Sequence, residues 1–132
     1  MSAGRGQGRP RGGTFFNGLA GNTDDHLKNF AMIHDIGGYR LSPAYHLLPD
    51  VNANQEHVLF FGAQRYIESR GTVGDMALRW GVADALGILE NVLVGLSRFE
   101  EFAALAGVPD ANVAELRKDL ERRSRRVARR SA

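Results

Sequence analysis

Asn22-Thr23-Asp24-Asp25-His26-Leu27-Lys28-Asn29-Phe30, followed after six intervening residues by Gly37-Gly38-Tyr39-Arg40-Leu41-Ser42-Pro43-Ala44-Tyr45, is the stretch around which the chain is arranged. Its polar side chains are short and lie between apolar runs. Phe15-Phe16-Asn17-Gly18-Leu19-Ala20 precedes it, and Phe30-Ala31-Met32-Ile33 continues from it. A polar segment framed in this way is expected to be held against a core, which ordinary surface loops are not.

Asp24 and Asn29 stand five positions apart, the spacing of the kinase catalytic loop H-R-D-x-x-x-x-N. In that loop the Asp accepts the proton of the attacking hydroxyl and the Asn oxygen holds magnesium, a hard cation that takes oxygen ligands. On spacing alone the same residues also read as Asx turns and a helix cap.

The whole segment is more specific. It resembles the catalytic region of the HipA family, bacterial serine/threonine protein kinases that are the toxins of toxin–antitoxin pairs. The resemblance is close over residues 15 to 50 and looser from 51 to about 110. It implies Asp24 as catalytic base, Asn29 as a magnesium ligand and His26 beside the reacting phosphate. Lys28 is a weaker candidate for nucleotide phosphates. Magnesium and ATP are the implied cofactors, and a protein is the implied substrate. One position departs. The family reads Ser/Thr-Pro-x-Tyr-Asp, with the Asp as second magnesium ligand, and here Ser42-Pro43-Ala44-Tyr45 is followed by His46. A neutral imidazole ligates magnesium poorly and a protonated one repels it.

With 132 residues, 43% hydrophobic and 24% charged, the chain has the composition of one globular domain with its own core. It has no cysteine, which excludes a disulfide framework, a thiolate zinc site and a thiol nucleophile. No apolar run is long enough to span a membrane, and no signal-peptide core is present, so a cytoplasmic protein is expected. The four histidines lack the helical His-x-x-x-His or Glu-x-x-His pairs of a zinc hydrolase. Ser42 and Thr23 have no base and orienting group in view. The net charge of +2 is unevenly placed: residues 117–132 carry eight basic side chains against two acidic ones. Such an end reads as a solvated helix terminus or a weak contact for DNA phosphates.

In chain order, residues 1–13 are expected to be a disordered Gly/Arg-rich leader, 14–116 the HipA-like domain and 117–132 a basic tail. Residues 14–21 read as the end of a helix stopped near Gly21. A hairpin is expected about Asp35-Ile36-Gly37-Gly38, returning residue 46 to the side of Asn29. His57-Val58-Leu59-Phe60-Phe61 reads as a short strand. Helices follow from Thr72 to Gly81, from Asp84 toward Gly107 and from about Asn112, with Trp80 assigned to the core. The fold class is therefore α+β and mostly helical, and the resemblance implies the C-terminal lobe of a protein-kinase-like fold.

Nothing before Asp24 supplies a loop over nucleotide phosphates or its lysine, both needed for phosphoryl transfer. The expectation is a truncated HipA-like C-terminal domain, weak or inactive by itself. The alternatives are a non-catalytic module that binds an antitoxin-like partner or its DNA complex, and half of a split kinase completed in trans by a separate lobe.

Overall fold

The computed structural model describes residues 9–50, 57 and 66–128. Five helices and one hairpin make an α+β, mostly helical fold. Helix α1 is Arg9–Ala20, strands β1 and β2 are Met32–Asp35 and Gly38–Leu41, and helix α2 is Arg70–Trp80. Helices α3, α4 and α5 are Ala85–Ser97, Phe99–Leu105 and Asp110–Ala128. None of the described helices is long and apolar enough to cross a membrane.

Helix α1 begins inside the glycine-rich stretch expected to form no element. Pro10 stands in its first turn, where a missing N–H leaves no helix bond unmade. The helix stops at Gly21, whose φ of 77° only glycine adopts without strain and whose N–H bonds the Asn17 carbonyl at 3.0 Å. Helix α2 stops in the same way at Gly81, with φ 61°. Asp84 begins α3, its carboxylate accepting the Gly87 N–H at 3.0 Å.

The helix expected to continue from Asp84 toward Gly107 is broken after Ser97. Gly95 is a weak helix former, and the Ser97 hydroxyl donates back to the Val94 carbonyl at 2.8 Å. Arg98 leaves the α-helical ladder to bond the Gly95 carbonyl at 3.2 Å, and α4 starts anew beyond it.

The core gathers where α1, α2, α3 and α5 meet. Phe15 and Leu19 of α1 pack with Val73 and Met76 of α2, Leu89 of α3 and Val127 of α5, all at most 1% exposed. Each such side chain contributes about 1.5–3 kcal/mol when fully buried. Val127 extends the apolar face of α5 into the arginine-rich stretch, where the pattern after Leu120 reads as purely basic. Trp80 is 40% exposed at the end of α2, so its expected place in the core is not found. The helix stops one residue later and its buried stripe is already filled by Val73 and Met76.

The hairpin lies outside this core, and its main packing is between its own strands. Met32 faces Leu41 and Asp35 faces Gly38 across the antiparallel ladder, and Ser42 N–H extends it to the Ala31 carbonyl at 2.7 Å. Asp35 holds the turn by accepting the Gly37 N–H at 2.9 Å and the Arg40 Nε–H at 2.8 Å. The strand expected from His57 onward lies, apart from His57 itself, outside the described residues.

Candidate functional site

The polar loop is built on the end of α1. Asn22 Nδ2 donates to Asn17 Oδ1 at 3.1 Å and to the His46 carbonyl at 2.9 Å. The Asp50 N–H bonds the Gly21 carbonyl at 2.9 Å, and Asp50 Oδ2 accepts the Thr23 hydroxyl at 3.2 Å. The segment after the hairpin is thus fastened to the helix end at both 46 and 50. A single 3-10 turn over Leu27–Asn29 then presents Asn29.

Asp24, His26, Asn29 and His46 come together. Asp24 Oδ1 is 3.4 Å from His26 Nε2, and Asp24 Oδ2 is 3.8 Å from His46 Nε2. Asn29 Nδ2 donates to the Asp24 carbonyl at 2.6 Å and lies 3.3 Å from His46 Nδ1. The first contact fixes the amide with its nitrogen inward, and an amide nitrogen can only donate. His46 Nδ1 is therefore the acceptor, which in the neutral ring leaves the proton on Nε2, facing Asp24. Asp24 and His26 are each 46% exposed and His46 37%, a setting open to a reactant from solvent.

His46 has φ 55°, the left-handed region that non-glycine residues seldom occupy. Asn22 holds its carbonyl there, and the strain goes with a defined side-chain direction toward Asn29.

A cleft of about 320 Å³ opens beside the cluster, its polar lining including Asn17, Asn22, Asp25, Asn29, Tyr45 and His46. Lys28 does not line it. Its carbonyl accepts the Tyr45 hydroxyl at 3.1 Å and its side chain is exposed.

Behind the loop is a pair that the sequence reading missed. Asp25 Oδ2 and His57 Nδ1 are 3.0 Å apart, and both side chains are 2% exposed. They are separated by 32 positions, so no local spacing announces them. The sequence signal available was the apolar run after His57, which pointed to packing.

The donor set does not fit a two-ligand magnesium clamp. Asn29 turns its nitrogen, not its oxygen, toward residue 46, and residue 46 offers an imidazole in place of a carboxylate. Among the described residues no three His, Asp or Glu side chains form a metal-holding group.

A family model described as the HipA-like C-terminal domain matches residues 13–128. No curated protein and no solved structure matches the chain.

Proposed function

The chain belongs to the HipA-like C-terminal domain family, and from that premise we propose that it carries a serine/threonine kinase catalytic loop whose phosphoryl transfer is weak or absent in this chain alone. Asp24 is the proposed base: its carboxylate is 46% exposed and would accept the proton of a substrate hydroxyl entering from solvent. His26, 3.4 Å from it, is the proposed neighbour of the transferred group. ATP, when bound, would supply the phosphoryl group. The observation that carries the reading is the 3.3 Å approach of His46 to Asn29, where paired oxygen ligands are needed. The test is transfer of labelled phosphate from ATP to a protein acceptor by the purified chain. Little or no transfer above that of Asp24→Asn is expected. Sustained multiple-turnover transfer that Asp24→Asn abolishes would overturn the proposal of a weak site.

A second reading, a partner-binding module, is favoured by the hairpin. Met32, Ile36 and Tyr39 are 59%, 109% and 76% exposed on it, and a two-stranded hairpin is marginal without further packing. The proposed partner is a protein, either antitoxin-like or a kinase lobe on a separate chain. DNA would then be reached indirectly; Arg117, Arg122 and Arg125 of α5 are each ion-paired with a carboxylate. Co-purification with the product of the adjoining reading frame, lost in Ile36→Asp, is the expected result. Unchanged co-purification in that variant removes the hairpin from the interface.

A further inference from the structure

A small recess, separate from the cleft lined by Asn29 and His46, lies where the end of α1 meets α5. Gly18, Gly21, Thr23, His57, Arg123 and Arg126 contribute to its lining. Its free interior is about 10 Å³, room for one water-sized group.

Arg123 stands at its inner wall and is 8% exposed. Its Nη1 donates to the Ala20 carbonyl at 3.3 Å, and its Nη2 is 3.5 Å from Asp119 Oδ2. Both contacts are long for a charged donor, for which about 2.7–2.9 Å is usual. Asp119 is also shared, its Oδ1 accepting Arg122 Nη2 at 2.8 Å. Burial lowers the Arg123 pKa, Asp119 opposes that shift, and Arg122 and Arg126 add to it. Arg126 stacks on the Tyr66 ring at 5.7 Å and has no ion pair among the described residues. The other carboxylates whose partners line the recess are turned to those partners, Asp25 to His57 and Asp50 to Thr23. A guanidinium has five N–H donors and no acceptor. Two of them beside a water-sized space favour an acceptor-only occupant over water.

We propose that this recess binds a phosphate-class oxyanion, with one oxygen between Arg123 and Arg126 and the rest of the group at the mouth. The space for a single oxygen sets that pose. The source is either inorganic phosphate or a phosphorylated side chain. Because Gly21 lines the recess and begins the polar loop, occupancy ties α5 to the loop that carries Asp24. The site does not depend on phosphoryl transfer by Asp24.

The test uses the full chain, titrated with inorganic phosphate in thermal melts and calorimetry against sodium chloride at equal ionic strength. A rise in melting temperature specific to phosphate is expected. Arg126→Ala removes an exposed side chain and should bind phosphate on the order of tenfold more weakly, the loss of one charged hydrogen bond. Arg123→Lys should weaken binding similarly, and if it fails to fold Arg126→Ala decides alone. A phosphoserine peptide that binds at least about tenfold tighter than phosphate identifies a phosphorylated side chain as the source, and equal binding identifies the free ion. No phosphate-specific shift in the unaltered chain, or a shift undiminished in Arg126→Ala, overturns the proposal.

Discussion

Gly21→Ala is the substitution with the most calculable effect. Gly21 has φ 77°, and a Cβ there would lie 2.5 Å from Arg123 Cζ and 2.6 Å from its Nη2. The left-handed backbone costs alanine roughly 1 kcal/mol. The guanidinium is buried under α1, so it must leave the Ala20 carbonyl, and an unmade buried hydrogen bond costs about 1–3 kcal/mol. Together these give about 2–4 kcal/mol, or a fall in Tm of roughly 8–16 °C for a domain of this size. Gly81→Ala is the control, because Gly81 has φ 61° but nothing lies within 4 Å of its added Cβ. Only the backbone cost of about 1 kcal/mol is expected there. Urea and thermal unfolding of both variants measure the difference. In an Arg123→Ala background, Gly21→Ala should cost no more than Gly81→Ala does. If the two glycine variants are equally destabilised in the unaltered background, the guanidinium moves aside freely and the reasoning fails.

Three further outcomes are expected. Asp84→Ala removes the α3 cap on the Gly87 N–H and should cost about 1 kcal/mol in urea unfolding. Asp25→Ala takes away the buried carboxylate facing His57 and should cost about 3 kcal/mol by the same measurement, far more than removal of an exposed carboxylate such as Glu115. The Arg40 hydrogen bond, then the Gly37 N–H, hold the Asp35 pKa below its ordinary value. A carboxylate depressed on folding contributes stability above its unfolded pKa of about 3.9, lost as the pH falls through the folded value. Arg40→Ala should therefore raise the Asp35 pKa toward that ordinary value in an NMR titration.

The local chemistry of the fold was legible from the residues. Gly21 and Gly81 stop helices because they reach positive φ, Asp84 caps because its short carboxylate reaches Gly87, and the Asp35–Gly38 turn closes the hairpin. The return of residue 46 to Asn29 followed from that hairpin and is found at 3.3 Å. Features set by tertiary contact were not legible. Arg123 and Val127 lie in a stretch that reads as a solvated basic end, yet both are buried because α5 packs on α1. Asp25 and His57 have no shared periodicity, and Trp80 follows the helical stripe but falls on the last turn, beyond the core. The division of one long helix into α3 and α4 turns on a Ser97 back-bond that composition does not announce.

The most direct test of the central claim compares the chain with His46→Asp in thermal melts with and without magnesium, and with magnesium and ATP. Asp tolerates the left-handed backbone at φ 55° better than most residues, so the exchange alters the side chain with little change in strain. A ligand at about a hundred times its dissociation constant adds roughly 2.7 kcal/mol to the folded state. The account predicts no magnesium-dependent shift in the unaltered chain and a shift in His46→Asp. An equal shift in both would contradict it, because the imidazole at 46 would then not be what disarms the site.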